Sequence, residues 1–587
     1  MNIQQPGELS LSGYVWHLNQ PDERLANAIT QRFDVPDVVA RILACRGHTL
    51  EELPEFLNPT LKQNLSNPFS LKDMERAAKR VAQSIMNNEP IGLMGDYDVD
   101  GATSTAELKL YLEKCHTHPL TFIPEREDGY GPNAKKMQEY KDKGCHVVLT
   151  LDCGTTAFEP IDFGTKLGLD IIILDHHNAE AQLPNAYAIV NPKRLDEEKN
   201  HPCHHMAACG VVFLFIVALN KILRDSGFWQ NKQEPNLIQF LDLVAFGTIC
   251  DVVKLTPINR LLVKSGLKQM RQGKNIGLNA LARKINIEEA INTYHLGYLL
   301  GPRINACGRI GKSDLGMRLL SSHDNIEANI LAEELENLNT RRREIENDVF
   351  SKAIEKIEIE PIKTPFIVVA GENWHQGVVG IVAGRLKERY NLPVFVLSIE
   401  GDDVKGSSRS VSGVDIGTLI MDALNHGILT HGGGHPMAAG FALKRDKIPD
   451  FINYLSKTVD PALLTKSEQV LEADGALDLG GLTFDLANKL ELLAPFGEGN
   501  PEPMFILKNV MVTYTRLLKN GHISVGLRNT MGAKATGIAF RAADTEMGKI
   551  LLSTHGQDAF DFMIYLKKDT WKGLSKVQIQ LLDAKRL

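Results

Sequence analysis

The chain has 587 residues, of which 43% are hydrophobic, and a formal net charge of −7 at pH 7. This length predicts several domains that each bury a core. No apolar run reaches the roughly 18 residues that a membrane span needs, and the first segment, MNIQQPGELS, lacks the pattern of a secretory signal. Eight cysteines without regular spacing fit reduced thiols. These features favour a cytoplasmic protein.

Charge is distributed unevenly along the chain. Residues 501–587 contain 13 Lys and Arg against 7 Asp and Glu, a net charge of +6 that leaves −13 for residues 1–500. A basic terminal region beside an acidic body suits a nuclease with separate binding and cutting parts. Chance unevenness is the alternative interpretation.

The pattern in chain order predicts an α/β protein. Residues 1–70 read as short helices and turns without visible chemistry. An amphipathic helix over 74–86 leads into the apolar run 91–94, the first strand. Strands and helices then alternate, which implies a mostly parallel sheet covered by helices. Further helices are expected over 103–114 and 156–167, and strands near 120–124, at 146–151 and at 170–174.

Three carboxylates, Asp96, Asp98 and Asp100, follow the first strand at alternate positions. In an extended segment they share one face, and such dense negative charge is costly unless a cation neutralises it. Hard oxygen ligands suit magnesium or manganese. The alternatives are a solvated acidic turn and an EF-hand loop, whose twelfth position would be Glu107. The preceding strand argues against an EF-hand, which begins from a helix.

Polar side chains also follow three later apolar runs. Because ligands bind beyond the carboxyl ends of strands in open α/β sheets, these endings and the first one together predict a two-metal site. The residues are Asp152 after run 146–151, Asp175, His176 and His177 after run 170–174, and Asp251 after run 243–250.

One further group of polar residues resembles a zinc site. The stretch 201–205, with Cys209 nearby, contains Cys and His, but no second well-spaced pair completes a tetrahedral set. A loop before a helix over 206–223 is the preferred interpretation.

The second half of the chain contains a long predicted helix over 324–358 and then, beyond Pro361 and Pro365, a second α/β unit. Three motifs in that unit suit an anion, through backbone N–H groups at a glycine-rich helix start, a guanidinium with hydroxyls, and a close-approach glycine loop. Each motif alone is compatible with a tight turn. The motifs are residues 374–380 with His375, residues 406–410 with Ser407 and Arg409, and residues 431–435 with Gly433, Gly434 and His435.

The tail beyond residue 467 is rich in strands and in aromatic residues that lie among basic ones. This composition favours an oligonucleotide-binding barrel, in which rings stack on bases while Lys and Arg follow phosphates. The alternative is that the rings fill the core. The strands are predicted at 505–507, 510–514, 522–527, 536–540, 560–566 and 577–582, and the aromatic residues are Tyr514, Phe540, Tyr565 and Trp571.

The motifs GDYDVDG, LDCG, LDHH and GTICDVV resemble those of the DHH phosphoesterase family, and in particular its single-strand-specific DNA exonucleases. The resemblance continues through GPRINACGRIG, HQGVVGIVAGRL, GSSRS, HGGGHPMAAG and PFGEGNPEP and covers nearly the whole chain from about residue 40. It implies an α/β fold with two α/β domains, DHH and DHH-associated, joined by a long helix, plus a C-terminal OB-fold β-barrel. The expected divisions are 1–70, 71–323, 324–361, 362–456 and 467–587.

The same resemblance implies roles for the acidic and histidine residues. Asp98 and Asp152 would bind one metal ion, and Asp100, Asp152, His176 and Asp251 the other, so that Asp152 bridges the two. Asp96 completes the motif, although other branches of the family have a His two residues upstream, where this chain has Met94.

Two more roles are implied, Asp175 orienting a ligand and His177 contacting the scissile phosphate. The implied substrate-binding residues are Arg126, Arg303, Arg309, His375, Ser407, Arg409, Gly433, Gly434 and His435.

The resemblance thus implies an exonuclease that releases mononucleotides from single-stranded DNA in the 5′-to-3′ direction with two Mn²⁺ or Mg²⁺ ions, in recombination and repair. It would be a monomer whose partners are a single-strand-binding protein and a helicase, with no membrane association. Three alternatives remain. A small-nucleotide phosphoesterase would not need a basic barrel, a short-RNA nuclease is hard to separate because nothing visibly reads a 2′-hydroxyl, and a non-catalytic DNA-binding scaffold would be expected to lose metal ligands.

Overall fold

The structure is a computed structural model that describes residues 9–129, 131–359, 361–464, 469–554, 556, 558–569 and 576–587. The predicted aromatic residue Trp571 lies outside the described residues. Four β-sheets organise this part of the chain. Among its helices, none has both the length and the apolar character to cross a bilayer.

The N-terminal region contains short helices, as predicted, and one strand that the sequence analysis missed. Asp22 begins the first helix by accepting hydrogen bonds from the backbone N–H groups of Arg24 and Leu25. The elements are β1 (Tyr14–Leu18), α1 (Glu23–Phe33), α2 (Asp37–Cys45), α3 (Leu53–Leu57) and α4 (Leu61–Asn64).

The next sheet is the predicted parallel one, and this prediction is confirmed. Its strand order is β3-β2-β4-β5-β6, with every neighbouring pair parallel. Strands β2 and β4 are buried at every position, which explains why they read as continuous apolar runs. The elements are α5 (Met74–Asn87), β2 (Ile91–Gly95), α6 (Val99–Lys114), β3 (Leu120–Phe122), α7 (Ala134–Asp142), β4 (Val147–Leu151), α8 (Phe158–Lys166), β5 (Asp170–Leu174) and β6 (Ala188–Val190).

Helices follow this sheet and lead to the second one. The apolar run 243–250, whose end was predicted to resemble a strand end, is helical. A π-helical turn, His295–Leu300, precedes a further helix, and a helix of 33 residues connects to the second α/β unit. The helices are α9 (Ala208–Asp225), α10 (Leu241–Cys250), α11 (Pro257–Met270), α12 (Ile276–Lys284), α13 (Gly301–Ile310), α14 (Leu315–Leu320) and α15 (Asn325–Ile357).

The second α/β unit has a mixed five-stranded sheet in the order β10-β11-β9-β8-β7, in which only the β7–β8 pair is parallel. Its elements are β7 (Ile367–Glu372), α16 (Gln376–Tyr390), β8 (Val394–Glu400), β9 (Asp403–Arg409), α17 (Ile416–Asn425), β10 (His431–His435), β11 (Ala438–Lys444) and α18 (Ile448–Thr458).

The C-terminal strands close into a five-stranded barrel, because β14, β15, β16, β18 and β17 form a ring of pairings that returns to β14. The prediction of two strands over 505–507 and 510–514 is wrong. One strand of 14 residues spans both, with an irregular register between Leu507 and Val510. The elements are β12 (Gln469–Ala473), β13 (Gly475–Leu477), α19 (Phe484–Leu490), β14 (Met504–Leu517), β15 (Ile523–Arg528), β16 (Lys534–Ala539), α20 (Glu546–Ser553), β17 (Ala559–Asp569) and β18 (Lys576–Arg586).

The N-terminal region packs on this barrel. Buried residues of α1, α2 and α3 belong to the same hydrophobic cluster as the barrel interior, and β1 pairs in parallel with β12. The buried guanidinium of Arg260 on α11 connects them to the helices before the second unit. It donates to the carbonyl of Ala494 at 2.8 Å and stacks over the ring of Phe56.

Candidate active site

The predicted polar residues collect at one edge of the parallel sheet. Asp96 follows β2, Asp152 follows β4, and Asp175 and His176 follow β5, all at the carboxyl ends of neighbouring strands. Asp251 reaches the same place differently, since it caps the C-terminus of α10 and does not end a strand. The prediction that all four endings are strand ends is therefore wrong in this one case, although the side chains do converge.

The prediction that the three alternate aspartates share one face of an extended segment is wrong. The chain turns sharply after Asp96, Asp98 is the N-cap of α6, and Asp100 lies in its first turn. The Asp98 carboxylate accepts a hydrogen bond from the backbone N–H of Gly101 at 3.0 Å. Gly101 has to be glycine, because a Cβ there would lie 2.5 Å from the backbone oxygen of Asp96.

Asp100 is fixed from behind by a helix N-terminus. Its two carboxylate oxygens accept hydrogen bonds from the backbone N–H groups of Ala208 at 2.7 Å and Cys209 at 2.9 Å, in the first turn of α9. The unpaired donors and the dipole of a helix start stabilise a carboxylate in this position. Asp100 is thus held rigidly with its remaining lone pairs available to a cation.

His176 lies at the centre of the cluster. Its Nε2 is 3.3 Å from an oxygen of Asp152, 3.6 Å from one of Asp251 and 3.7 Å from one of Asp100. Three groups of side chains could each hold a metal ion, and they overlap at Asp152 and His176. The groups are Asp96, Asp98 and Asp152; Asp100, His176 and Asp251; and Asp152, His176 and His177.

The donor set fits two divalent ions. Burial, followed by the neighbouring carboxylates, raises the pKa of Asp152 and, to about 8, that of Asp251. Oδ1 of Asp96 and Nδ1 of His176 are buried without a hydrogen-bond partner in the described part of the chain. Carboxylates crowded in this way repel one another unless cations neutralise them. Oxygen donors with a single imidazole suit magnesium and manganese.

Asp175 and His177 form a charged pair beside these ligands. Nδ1 of His177 is 2.8 Å from Oδ1 of Asp175, which also accepts the backbone N–H of His176. Burial alone would lower the pKa of His177, but Asp175 outweighs it and raises that pKa to about 9. Conversely, burial would raise the pKa of Asp175, whereas hydrogen bonds and the charge of His177 hold it well below its ordinary value. His177 is therefore a cation at neutral pH.

Two residues at the site have left-handed backbone conformations. Asp152 has φ of 61° and Val252, directly after Asp251, has φ of 57°. This conformation is unusual for non-glycine residues and especially costly for a β-branched one. Surrounding contacts therefore impose the backbone on both sides of the cluster.

Sequence reasoning missed Asn191 and Lys193. Asn191 is fully buried after β6, and its amide donates to the backbone oxygen of His177 and to the hydroxyl of Thr155, both at 2.9 Å. Its Oδ1 accepts the backbone N–H of Lys193, and the charge of Lys193 contributes to lowering the pKa of His176. The rule that found the aspartates, a polar residue where an apolar run ends, also applies at 188–191.

A group of arginines lies near Tyr97, the residue between Asp96 and Asp98. Burial, followed by the charges of Arg126, Arg342 and Arg409, lowers the pKa of Arg309 to about 10. In the described part of the chain, Arg309 donates to the backbone oxygen of Gly377 and Arg409 to that of Ser408, and neither forms an ion pair with a carboxylate. Half-buried guanidinium groups without an ion-pair partner in the described residues can bind an anion.

Arg126 and Arg303 differ in whether another residue neutralises their charge. Arg126 is exposed, donates to the backbone oxygen of Gly308 at 2.7 Å and stacks over the ring of Tyr97. Arg303 pairs with Glu336 on α15 and donates to the carbonyl of Leu299. Because Glu336 already neutralises the charge of Arg303, the geometry favours Arg126 over Arg303 as a phosphate contact.

Ser407 and Arg409 lie on a strand and not in a loop. They are two residues apart on β9 and therefore point to one face, where α16 covers them. A Cβ on Gly380 of that helix would lie 2.9 Å from the Ser407 hydroxyl and 3.5 Å from the Arg409 guanidinium. The predicted set of hydroxyl and guanidinium is thus present on one face.

His375 is the N-cap of α16, and its Nδ1 accepts the N–H of Gly377 at 3.0 Å. The prediction that glycines here leave N–H groups for an anion is therefore wrong for Gly377. A Cβ on Gly377 would lie 2.3 Å from the backbone oxygen of Arg309. This glycine allows α16 to contact α13.

The glycine segment 431–435 is also a strand, β10 at the edge of its sheet, and not the predicted loop. Its Gly434 is tightly packed, since a Cβ would lie 2.4 Å from the backbone oxygen of Ala438, whereas Gly433 has open space. Burial and the charges of His177 and Lys193 lower the pKa of His435. These electrostatic neighbours place His435 of the second α/β unit beside the acidic cluster of the first.

The two alternative metal interpretations find no support. His201 uses both ring nitrogens, one with the Ser70 hydroxyl at 2.9 Å and one with the backbone N–H of Cys203, so the loop interpretation fits this stretch. Glu107 is fully buried inside α6. It belongs to that helix and not to an EF-hand loop.

The barrel presents aromatic residues to solvent. Tyr514 is 48% exposed and Phe540 42% exposed, whereas Tyr565 is half-buried. The interpretation that the predicted rings only fill the core is therefore wrong for Tyr514 and Phe540.

Three family descriptions match successive parts of the chain. Residues 90–248 match the DHH family, N-terminal domain, residues 363–460 match the DHHA1 domain, and residues 473–583 match the RecJ OB domain.

Curated relatives and solved structures agree with these matches. The chain is 32% identical over 580 residues to the single-stranded-DNA-specific exonuclease RecJ of Bacillus subtilis, covering 97% of this chain and 70% of that one. It is 34% identical over 526 residues to RecJ of Escherichia coli, covering 86% and 89%. The crystal structure of RecJ with Mn²⁺ from Thermus thermophilus superposes with a TM-score of 0.80 at 27% identity, over 97% of this chain and 79% of that one. The chain belongs to the RecJ family of single-stranded-DNA-specific exonucleases.

Proposed function

We propose that the protein is a metal-dependent exonuclease specific for single-stranded DNA that acts in recombination and repair. The observation that carries this function is the overlap of the candidate metal-binding groups at Asp152 and His176. Crystal structures of a relative were determined with Mn²⁺ and with Mg²⁺, in agreement with the donor set here.

The ligands would divide between two ions. Asp98 and Asp152, with Asp96, would hold one ion, and Asp100, His176 and Asp251 would hold the other, with Asp152 between them. Such a pair of ions supplies an activated water and neutralises charge on the attacking and leaving oxygens. Asp100 is oriented by α9 and the backbone around His176 by Asp175, so the protein fixes the ligands before an ion arrives.

His177 would contact the scissile phosphate. Its Nδ1 is held by Asp175, which keeps the ring protonated and directs the opposite nitrogen away from that carboxylate. A cation at this position stabilises negative charge that develops on the phosphate during hydrolysis. Asn191 supports the same segment through the backbone oxygen of His177.

The second α/β unit would recognise the strand end. Ser407 and Arg409 of this unit, with Arg309 of α13, provide a hydroxyl and two guanidinium groups, and neither guanidinium forms an ion pair in the part of the chain that the structure describes. A terminal 5′-phosphate carries more charge than an internal diester. Holding that end next to the metal cluster gives removal of mononucleotides in the 5′-to-3′ direction. Arg126, His375, Gly433, Gly434 and His435 would line the remaining path, while Arg303 would serve α15 through Glu336.

The remaining assignments follow the same logic. Residues 71–323 would be the catalytic domain, 362–456 the substrate-binding domain and 467–587 a DNA-binding barrel, with 324–361 as connection and 1–70 as support for the barrel. The protein would act as a monomer in the cytoplasm, with a single-strand-binding protein and a helicase as partners.

One assay tests this function. End-labelled single-stranded DNA, duplex DNA and RNA are incubated with the protein, with and without Mn²⁺, and the products are resolved by length. We expect mononucleotides from single-stranded DNA alone, and only with the metal. Cleavage of RNA or duplex at a comparable rate, or metal-independent cleavage, would contradict the proposal.

A further inference from the structure

Two exposed tyrosines at the π-helical turn before α13 lie next to the barrel. Tyr294 and Tyr298 are 52% and 73% exposed, and their rings stack with centroids 5.3 Å apart and an interplanar angle of 26°. Lys567 of β17 lies over the Tyr294 ring at 5.8 Å and over the Tyr565 ring at 5.5 Å. We call these four residues the tyrosine platform.

The backbone places the two rings together. The π-helical turn His295–Leu300 begins directly after Tyr294, and the helix continues into α13 with Pro302 near its start. Proline donates no backbone hydrogen bond inside a helix, and a wider turn accommodates this loss. Residues four apart, such as Tyr294 and Tyr298, then lie one above the other on the exposed side.

The platform is close in the fold to the metal cluster. The carbonyl of Leu296 in the π-helical turn accepts a hydrogen bond from the thiol of Cys250 at 3.4 Å, and Cys250 directly precedes Asp251. The same helical stretch continues to Arg309, and Gly308 beside it packs against the ring of Tyr97, which lies between Asp96 and Asp98. A strand that leaves the cluster along this stretch would meet the tyrosines before the barrel.

The barrel supplies the other half. Tyr565 and Lys567 alternate along β17 and therefore point to the same face. Lys567 also pairs with Glu502 at 2.9 Å. Burial, Glu502 and Tyr298 raise the pKa of Tyr565, in agreement with the closeness of the two halves. Tyr514 and Phe540 lie elsewhere on the barrel, at pairings of β14, β15 and β16.

We propose that the tyrosine platform is a separate binding subsite for unpaired bases of a DNA strand, located between the metal cluster and the barrel. The inference rests on the proposed function and extends it, because no other assignment gives these residues a role. Exposed ring faces accept any base by stacking. Lys567, whose charge is paired with Glu502, joins the two halves by lying over the rings of Tyr294 and Tyr565.

A nucleic acid fits this surface better than a protein segment. The two stacked rings are 52% and 73% exposed, so their outer faces can accept a base, and the net charge of residues 501–587 is +6. The π-helical turn that carries Tyr298 continues into α13, which also carries Arg309. An apolar protein segment would instead need a groove with buried aliphatic side chains.

The test compares normal and base-free DNA. Fluorescence anisotropy in EDTA measures the Kd of labelled thymidine oligonucleotides and of abasic strands of equal length. The double variant Tyr294→Ala/Tyr298→Ala should lose roughly tenfold in affinity for the thymidine strand, the scale of base–aromatic stacking. Its affinity for the abasic strand should change by less than about twofold.

Two controls make the result specific. Tyr294→Phe/Tyr298→Phe keeps both rings and should bind as wild type, and Phe163→Ala removes an exposed ring on α8 and should also have no effect. A 2-aminopurine base in the strand should be quenched by the wild type and by the Phe variant but not by the Ala variant.

Two outcomes would overturn the inference. If the Ala variant binds thymidine strands with unchanged affinity, the rings do not bind bases and would instead contact a protein partner. Equal losses of affinity for both strands would indicate a change in structure and not in stacking. Metal-dependent hydrolysis of the same strand by the wild-type protein is measured separately. If hydrolysis occurs while the Ala variant binds normally, the subsite alone is wrong; if hydrolysis is absent, the proposed function itself fails.

Discussion

Asp152 combines three properties that few residues share. It is buried, has a left-handed backbone, and lies within reach of ligands from both halves of the metal cluster. A residue in this conformation persists only where the surrounding structure imposes it. Its position therefore ties the backbone of the strand end directly to the chemistry.

Replacing the bridging carboxylate should abolish hydrolysis. Asp152→Ala should lower kcat on the order of a thousandfold, because both ions lose a shared ligand. Added Mn²⁺ should not restore activity, since no other side chain can supply the bridge. Steady-state hydrolysis of a labelled strand measures the effect, with the exposed Asp142→Ala as control. Near-normal turnover of Asp152→Ala would mean that the bridge has been assigned to the wrong residue.

Asp242 provides a test of stability against pH outside the metal ligands. Burial raises the pKa of this carboxyl to about 7, above the roughly 3.9 of an unfolded chain. The folded state therefore binds more protons, so its stability falls as pH rises from about 4 to 7 and is then constant. Asp242→Asn should remove this loss.

We therefore compare the free energy of unfolding of Asp242→Asn with that of the wild type. This difference should shift in favour of the variant by on the order of 2–4 kcal/mol when the pH is raised from 5 to 8. Urea unfolding at both values measures the difference. An equal difference in unfolding free energy at the two pH values would show that Asp242 is charged in the folded protein.

The residues of the site were predictable where a strand ended and less so elsewhere. Asp96, Asp152 and His176 follow apolar runs, and parallel strands bring such ends together whatever the loops do. Asp251 was also identified because it follows an apolar run. That run is the helix α10 and not a strand, and Asp251 reaches the site as the C-cap of this helix. The orientation of Asp98 and Asp100 depends on where α6 begins, which alternation alone cannot show.

At the level of elements, β9 and α16 pack together around the side chains proposed to bind an anion. The strand presents Ser407 and Arg409 to the helix, and Gly380 leaves the space in which their side chains lie. The half-buried Arg409 has no carboxylate partner in the described residues, so its charge would be available to a phosphate.

Arg409→Ala should therefore raise the KM for 5′-phosphorylated strands by about 10- to 100-fold, the value of a charge-assisted hydrogen bond. The advantage of these strands over 5′-hydroxyl strands should shrink, while metal affinity stays the same. Arg445→Ala, an exposed arginine of the same unit that pairs with Glu372, is the matched control. A covalently closed single-stranded circle offers no end, and its rapid cleavage by the wild type would contradict end recognition.

Glycine explains why the strands β9 and β10 of this unit were not predicted. Strand β10 contains three consecutive glycines and β9 contains Gly406, and glycine is depleted in strands. Pairing with β11 on one side, and with β8 in the case of β9, imposes the extended conformation. That pairing involves distant residues and leaves no local signal in the sequence.

Across the whole molecule, the first and last parts of the chain stabilise one another. Buried residues of α1 to α3 share a cluster with the barrel interior, and Arg46 donates to Asn500 at 2.7 Å. The short helices at 1–70 and the barrel were each predictable from local patterns. Their packing against one another was not, because contacts over more than 400 residues leave no periodicity.

Deleting the barrel is therefore a more severe change than its role in DNA binding suggests. Removing residues 467–587 should weaken DNA binding more than it slows hydrolysis of bound strands, and should also uncover the apolar face of α1 to α3. We expect aggregation on size-exclusion chromatography, which should disappear when residues 1–58 are removed as well.

The doubly truncated protein then isolates the barrel's contribution. Its affinity for long single strands should fall, with a smaller slope of log Kd against log salt, because fewer phosphates are neutralised. An affinity equal to that of the full chain would show that the barrel does not bind DNA.

The packing of α1 to α3 against the C-terminal barrel has a consequence for synthesis on the ribosome. At about 5–20 residues per second, roughly 20–100 s separate the emergence of α3 from that of the barrel strands that cover it. During this interval the first helices have no partner for their apolar sides, while the metal-binding unit behind them can already fold. The nascent chain is thus expected to occupy a chaperone longest at its earliest-made segment, and completion of the last strands releases it.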